Sequence, residues 1–135
     1  MSLLVDTGVL YALADVDDAW HERARDYMKR AREVLLVPIT VTVEVAYLLR
    51  EHLSKRAEQA FVASLAKGEV GVETLTAEDW KRCAALMSVY SEIGFVDASV
   101  VAVAERLRLR RIATTDRRHF GQLRPRHVEA FELVP

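Results

Sequence analysis

Short apolar runs alternate along the chain with longer segments in which apolar residues recur at helical spacing. The short runs are rich in β-branched residues and predict five strands, over residues 3–5, 34–37, 70–74, 111–114 and 128–134. The longer segments carry charges on the opposite face and predict helices over residues 20–32, 41–52, 57–67, 77–90 and 98–107. Strands separated by helices need crossover connections, so the pattern predicts an α/β fold: a three-layer α/β/α sandwich with a mostly parallel central sheet of about five strands.

Polar residues at the predicted helix starts support this assignment. Thr76 precedes Asp79 in the arrangement of a capping box, and Ser54 stands where it can cap the third predicted helix. Asp97 stands directly before the fifth and is expected to cap it.

Length and composition favour one compact unit. The chain has 135 residues, of which 51% are apolar, and it shows no internal repeat or linker, so we expect a single domain over residues 1–135. Its longest apolar tract, residues 34–49, is interrupted by Pro38 and Glu44 and is shorter than the ~20 residues of a membrane span. The one cysteine, Cys83, excludes a disulfide framework and favours a core residue in a cytoplasmic protein.

The net charge of -1 excludes a generally basic protein that coats nucleic acid, but the basic residues are unevenly distributed. Arginines crowd the last third of the chain: Arg106, Arg108, Arg110, Arg111, Arg117, Arg118, Arg124 and Arg126. They form either a phosphate-binding face or a solvated helix and loop.

Four acidic residues follow apolar approaches at special positions of the predicted elements. Asp6 and Asp116 come at the carboxyl ends of predicted strands, where ligands bind in open α/β sheets. Asp97 stands at a helix start, and Glu44 lies in the first turns of a mostly apolar helix. Each one alone could be a cap, a turn residue or a partly exposed acid. Together they could converge at a single edge of the sheet.

Such a cluster favours a bound divalent cation. Two carboxylates ~4 Å apart repel each other by roughly 4 kcal/mol at an effective dielectric constant of 20. Oxygen ligands favour Mg²⁺ or Mn²⁺, and the four scattered histidines lack the spacing of a zinc motif, so surface or structural roles are expected for His21, His52, His119 and His127. Cations in acid-rich sites activate water against phosphodiesters, which points to hydrolysis of nucleic acid.

Signatures of other enzyme classes are absent from the sequence. There is no Walker A loop, no G-x-G-x-x-G dinucleotide fingerprint and no G-x-S-x-G nucleophile elbow.

The segments around the four acids correspond to the motifs of a known family. Its first strand, loop and helix correspond to VDTGVLYAL at 5–13 and DDAWH at 17–21. Its later motifs correspond to TVTVEV at 40–45, GFVDASVVA at 94–102 and IATTDRRHF at 112–120. In this order and spacing, over nearly the whole chain, the sequence resembles the PIN-domain family, specifically the VapC-type toxin ribonucleases of toxin–antitoxin pairs.

This resemblance implies a metal-dependent ribonuclease. Asp6, Glu44, Asp97 and Asp116 would bind Mg²⁺ or Mn²⁺ and support hydrolysis of RNA that leaves a 5′-phosphate. The hydroxyls of a second group would orient a metal-bound water or a carboxylate, or cap the adjoining turns; this group comprises Thr7, Ser99 and Thr115. Arg117 and Arg118 are candidates for binding the RNA. Family members are usually homodimers inhibited by an antitoxin protein, so both partners are expected.

Two alternatives stay open at this stage. One is a non-catalytic module on the same fold, which binds RNA or a basic protein segment through its acids. The other is a housekeeping nuclease that processes RNA and has no antitoxin.

Overall fold

A five-stranded parallel sheet forms the centre of the computed structural model, which describes residues 1–135. The strands are β1 (Ser2–Val5), β2 (Val34–Pro38), β3 (Gly71–Glu73), β4 (Arg111–Ala113) and β5 (Glu132–Val134). Their order across the sheet is β3-β2-β1-β4-β5, and every pairing is parallel. The predicted α/β/α fold with five strands is confirmed, although the last strand is shorter than predicted. All carboxyl ends of the strands therefore lie at one edge of the sheet.

Seven helices cover this sheet: α1 (Thr7–Ala14), α2 (His21–Arg30), α3 (Ile39–His52), α4 (Lys55–Ala66), α5 (Ala77–Val89), α6 (Phe95–Leu107) and α7 (Arg117–Gln122). The five predicted helices correspond to α2 to α6. The pattern missed α1 and α7 for physical reasons. Helix α1 is apolar almost all round and has no polar stripe, and α7 spans only six residues.

The core lies on both faces of the central strand. Leu3, Leu4 and Val5 of β1 are fully buried, as expected for a parallel strand covered by helices on both sides. Leu4 pairs with Leu36 of β2 and with Ile112 of β4, which fixes the register of all three strands. This register sets which residues leave the sheet side by side at its carboxyl edge.

The capping predictions have mixed outcomes. Thr76 and Asp79 form the predicted capping box, with hydrogen bonds of 3.0 and 3.1 Å, and Ser54 accepts from the backbone N–H of Ala57 at 3.0 Å. The prediction that Asp97 caps its helix is wrong, because α6 begins at Phe95 with Gly94 as its N-cap. Phe95 packs against the core as the first residue of the helix, so the helix begins two residues before Asp97. The Asp97 carboxylate accepts no capping hydrogen bond, so its oxygens are not used by the helix start.

Two further expectations concern Cys83 and the longest apolar tract. Cys83 is buried in α5, and burial raises the pKa of its thiol to about 11, so it is a protonated core residue. None of the helices combines the length and hydropathy needed to cross a bilayer.

Candidate active site

The four predicted acids lie on four different elements and meet at the carboxyl edge of the sheet. Asp6 directly follows β1, and Asp116 follows β4 and caps α7. Glu44 lies in the second turn of α3, and Asp97 in the first turn of α6. Their charges act on one another, because Glu44 and Asp97 both raise the pKa of Asp6, and Glu44 and Asp116 both raise that of Asp97. The predicted convergence is therefore present in the structure.

Asp6 is the most buried member of this cluster, with 4% of the residue exposed. Burial raises its pKa from 3.8 to about 7, and the nearby charges of Asp97 and Glu44 add to the effect. The hydroxyl of Thr114 donates to Oδ2 at 2.9 Å. The other oxygen, Oδ1, is buried and makes no well-formed hydrogen bond, and the nearby backbone N–H of Thr7 lowers the pKa of this carboxyl only in part. A buried carboxylate oxygen with no donor is costly unless something else binds it.

Asp97 responds to the same surroundings more weakly. It is half-buried, and desolvation followed by the charges of Asp116 and Glu44 raises its pKa to about 6. His119 acts in the opposite direction. At neutral pH the cluster thus holds carboxyl groups that resist carrying their full negative charge together.

Asp116 is oriented by the start of α7. Its Oδ1 accepts from the backbone N–H of His119 at 3.0 Å, and its Oδ2 lies 2.8 Å from the His119 Nδ1. His119 thereby joins Asp97 and Asp116 in a group whose possible ligand atoms lie within 4.8 Å of one another. The sequence interpretation, which gave all four histidines surface or structural roles, missed the place of His119 beside the cluster.

Thr114 links two of the acids and was not predicted. Its fully buried hydroxyl donates to Asp6 Oδ2 and accepts from the backbone N–H of Asp116, both at 2.9 Å. The predicted neighbour, Thr115, makes no hydrogen bond to the acids and instead packs over Gly8, where a Cβ would lie 2.1 Å from Thr115 Oγ1. Both threonines lie just after β4, which ends at Ala113, and only Thr114 has its hydroxyl beside Asp6.

A hydrogen bond between α3 and α6 fixes the other two acids relative to each other. The fully buried Ser99 donates to the carbonyl of Val96 at 2.6 Å, and its hydroxyl lies 2.5 Å from that of Thr40. Thr40 is one turn before Glu44, and Ser99 is two residues after Asp97. Ser99 therefore orients the helices rather than a carboxylate. Thr7, the third predicted hydroxyl, is buried with no hydrogen-bond partner.

The family assignment comes from comparison with known proteins. The family profile described as PIN domain matches residues 3–124, which is most of the chain. The chain belongs to the PIN domain family. It is also 31% identical to Ribonuclease VapC26 of Mycobacterium tuberculosis, over 98% of this chain and 100% of that protein.

Solved structures support the PIN fold. VapC20 of Mycobacterium tuberculosis, described as a toxin that cleaves the sarcin–ricin loop, matches with a TM-score of 0.81 and 25% identity over 86% of this chain and 91% of that one. VapBC2 of Rickettsia felis, solved with a DNA fragment from its promoter, matches with a TM-score of 0.72 and 12% identity over 100% of both chains. At this low identity the second match shows the fold alone.

The arginines of this PIN domain do not form one continuous phosphate-binding face. Arg106 pairs with Asp79 at 3.0 Å, and Arg111 pairs with Glu33 at 2.6 Å. Arg117 and Arg118 stand next to Asp116 at the edge that carries the acids. Arg106 and Arg111 of the basic cluster therefore serve ion pairs within the fold, and Arg117 and Arg118 flank the site.

The donor set of this PIN domain fits a hard divalent cation. It offers carboxylate oxygens from four elements, and one of these oxygens is buried without a hydrogen-bond donor. The pKa values of Asp6 and Asp97 are raised, and a bound positive charge would lower them. Mg²⁺ and Mn²⁺ prefer such oxygen ligands. The Nε2 atom of His119, 3.8 Å from Glu92, is the one nitrogen beside them.

Proposed function

We propose that this PIN domain is a Mg²⁺- or Mn²⁺-dependent endoribonuclease that hydrolyses RNA phosphodiester bonds, and that it is the toxin of a type II toxin–antitoxin pair. The observation that carries the proposal is the carboxylate cluster around Asp6, whose Oδ1 is buried without a partner and whose pKa rises to about 7. The similarity to Ribonuclease VapC26 supports RNA as the substrate.

Asp6, Glu44, Asp97 and Asp116 would hold the metal. A bound divalent cation supplies a water of lowered pKa and neutralises charge on the leaving oxygen. The chain's part is to keep the carboxylates aligned, and the cation would favour their ionised form, which burial and like charges oppose. Asp6 is oriented by the Thr114 hydroxyl, and Asp116 by the N–H groups of His119, so neither has to reorganise when substrate arrives.

Three hydroxyl-bearing residues, Thr7, Ser99 and Thr115, support this arrangement at different distances from the carboxylates. Thr7 directly follows Asp6, and its Oγ1 is buried beside the site without a hydrogen-bond partner. Ser99 keeps α6 against α3 through Thr40. Thr115 packs over Gly8 and keeps the start of α1 against the segment that leads to Asp116.

The RNA backbone would reach the site past Arg117 and Arg118. Both are exposed residues in the first turn of α7, directly after Asp116. Arg118 lies 3.8 Å from Glu92 in a solvent-exposed pair, which is weak enough to exchange for a phosphate. Guanidinium groups bind phosphate oxygens with two parallel hydrogen bonds, which would align the strand for cleavage.

Two protein partners belong to the proposal. An antitoxin would place a basic segment against the acidic edge, which is consistent with the description of VapC20 as a toxin. A second copy of the chain would cover the apolar strip of α3, where Val43 and Tyr47 are 66% and 61% exposed. Residues 1–135 would act as one domain in the cytoplasm, where the free Cys83 stays reduced.

The test is to incubate the purified protein with total cellular RNA in Mn²⁺ and to map new 5′ ends by sequencing, with EDTA in a parallel reaction. Discrete ends that require the metal would identify the substrate, and the sarcin–ricin loop is the first region to inspect. RNA that stays intact in Mn²⁺, with a folded protein and no bound inhibitor, would contradict the proposal.

A further inference from the structure

Two arginines from different parts of the chain meet on one aromatic ring beside the carboxylate cluster. The Arg23 guanidinium carbon lies 4.3 Å from the centre of the Trp20 ring, and that of Arg117 lies 5.7 Å from it. Both distances are within the range of cation–π contacts. Trp20 precedes the first turn of α2, whereas Arg117 follows Asp116 at the start of α7.

The ring is a fixed platform. Trp20 is partly buried and packs against the hydrophobic core, and its backbone N–H donates to Asp18 Oδ1 at 2.8 Å. Each guanidinium that lies against this ring therefore loses less freedom on binding a ligand than a free arginine would.

Neither guanidinium is neutralised by a side chain. Arg23 and Arg117 make no ion pair with an aspartate or glutamate, whereas Arg25, on the same helix as Arg23, pairs with Asp26 at 3.6 Å. Arg117 donates from one nitrogen to an oxygen of Pro135, the last residue of the sequence, and its other N–H donors make no further hydrogen bond within the protein. Two like charges gathered on one ring repel each other unless an anion lies between them.

We propose that Arg23 and Arg117, held by Trp20, form a clamp for one phosphate of the RNA backbone beside the bond that is cleaved. The inference rests on the proposed ribonuclease function and assigns RNA binding to two residues at the start of α2, Trp20 and Arg23. A phosphodiester is the anion that fits, since paired guanidiniums present several donors to its two free oxygens. Because Arg117 adjoins Asp116, the bound phosphate would set the register of the strand across the acids.

The experiment measures binding of a short fluorescein-labelled single-stranded RNA by anisotropy in EDTA, so that no cleavage takes place. The variants are R23Q, R117Q and the double variant, and R25Q is the matched control on the same helix. Each single loss removes a charge-assisted contact and should weaken binding about tenfold. The slope of log affinity against log salt should fall in magnitude by about 0.7 for one phosphate contact on a single strand.

The double variant distinguishes a clamp from two separate contacts. If both arginines bind one phosphate, the first substitution already abolishes the clamp. The double variant should then lose much less affinity than the roughly 100-fold that two independent tenfold effects would give. The variant W20L should resemble R23Q, with its folding checked by circular dichroism. R23Q binding as tightly as R25Q, or losses that multiply in the double variant, would overturn the clamp.

The result is separable from the proposed function. Binding in EDTA that depends on Arg23 supports the clamp even if the protein leaves RNA uncut in Mn²⁺. Cleavage in Mn²⁺ that is unchanged by R23Q in both rate and KM overturns the clamp and leaves the nuclease standing.

Discussion

Asp6 combines burial with like charges, and its ionisation is therefore coupled to the stability of the protein. Its pKa is about 7 in the folded chain and 3.8 when unperturbed. Between these values the folded state binds the proton and the unfolded state does not, so the unfolded state binds fewer protons and stability falls as pH rises. The stabilising contribution is complete below pH 4 and is lost as pH passes through about 7.

Asp6→Asn should accordingly stabilise the metal-free protein at pH 8 while it removes metal binding. The shift from 3.8 to about 7 at about 1.4 kcal/mol per pKa unit sets an upper limit of about 4 kcal/mol for the gain. Urea unfolding from pH 4 to 8, with EDTA present, measures it. The wild type should lose stability across this window and the variant should lose much less. Equal pH profiles for the two proteins would show that Asp6 is not the strained group.

The single hydroxyl of Thr114 makes hydrogen bonds to both Asp6 and Asp116, so removing it should affect both residues. Thr114→Val keeps the shape and leaves Asp6 Oδ2 without a donor and the N–H of Asp116 without an acceptor. We expect a loss of about 1–3 kcal/mol in unfolding free energy and a further rise in the pKa of Asp6. Denaturant unfolding and an NMR titration of the carboxyl carbon check these effects. Thr114→Ser, which keeps the hydroxyl, should restore both values, and an inert Thr114→Val would contradict the assigned role.

At the residue scale, the acids were predictable and their supports were not. Asp6 and Asp116 interrupt apolar runs at strand ends, which is visible in a single sequence. Thr114 is an ordinary β-forming residue in a strand pattern, and its role arises only because Val5 pairs with Ala113 and brings it beside Asp6. His119 was missed for a similar reason, since its place depends on how α7 turns after Asp116.

At the scale of secondary-structure elements, the contact between α3 and α6 holds the two helices that carry Glu44 and Asp97 together. Thr40 and Ser99 are 59 positions apart and share one hydrogen bond, and the helices they join carry Glu44 and Asp97. A small rotation of either helix would move a carboxylate relative to the other. Displacements of about 1 Å can cost on the order of 100-fold in rate.

Ser99→Ala and Thr40→Val should therefore lower cleavage more than they lower stability. Each should cost about 1 kcal/mol in unfolding free energy. Each should reduce kcat at least tenfold, since the helices that carry Glu44 and Asp97 lose the hydrogen bond that joins them. A double-mutant cycle on kcat should show strong coupling, because either change breaks the same hydrogen bond. Additive losses, or full activity in the single variants, would show that the contact does not position the acids.

The start of α1 depends on close packing against the segment before α7. A Cβ on Gly8 would lie 2.1 Å from Thr115 Oγ1 and 3.2 Å from Thr115 Cβ. Gly8→Ala should thus destabilise the protein by about 1–3 kcal/mol through overpacking. Adding Thr115→Ala removes the nearer atom and should recover part of the loss in thermal unfolding. A stable Gly8→Ala variant would mean that the two segments can separate without cost.

Element prediction succeeded where a segment has one buried face. Helix α5 combines a polar face with a capping box and was predicted close to its true bounds. Helix α6 has seven consecutive buried residues, so its periodicity did not reveal that it begins at Phe95 rather than Ala98. That shift is the reason Asp97 lies in the first turn and faces the cluster.

At the scale of the molecule, topology explains why the acids meet. The chain runs outward from β1 to β2 and β3, then crosses to β4 and β5 on the other side. A crevice opens where the strand order reverses, and ligands bind there in open α/β sheets. Asp6 follows β1 and Asp116 follows β4, so they flank this crevice, and Glu44 and Asp97 enter from the adjoining helices. The sequence predicted that the acids lie at the carboxyl edge of the sheet. The strand order determines where along that edge they meet.

The central claim is that the converging carboxylates bind a divalent cation and thereby hydrolyse RNA. The most direct measurement is single-turnover cleavage of an end-labelled RNA across Mn²⁺ concentrations, for the wild type and for Asp97→Asn, with the fold of each checked by circular dichroism. We expect saturable dependence on Mn²⁺ in the wild type and a rate at least about 100-fold lower in the folded variant. Cleavage that persists in EDTA, or a variant as fast as the wild type, would contradict the claim.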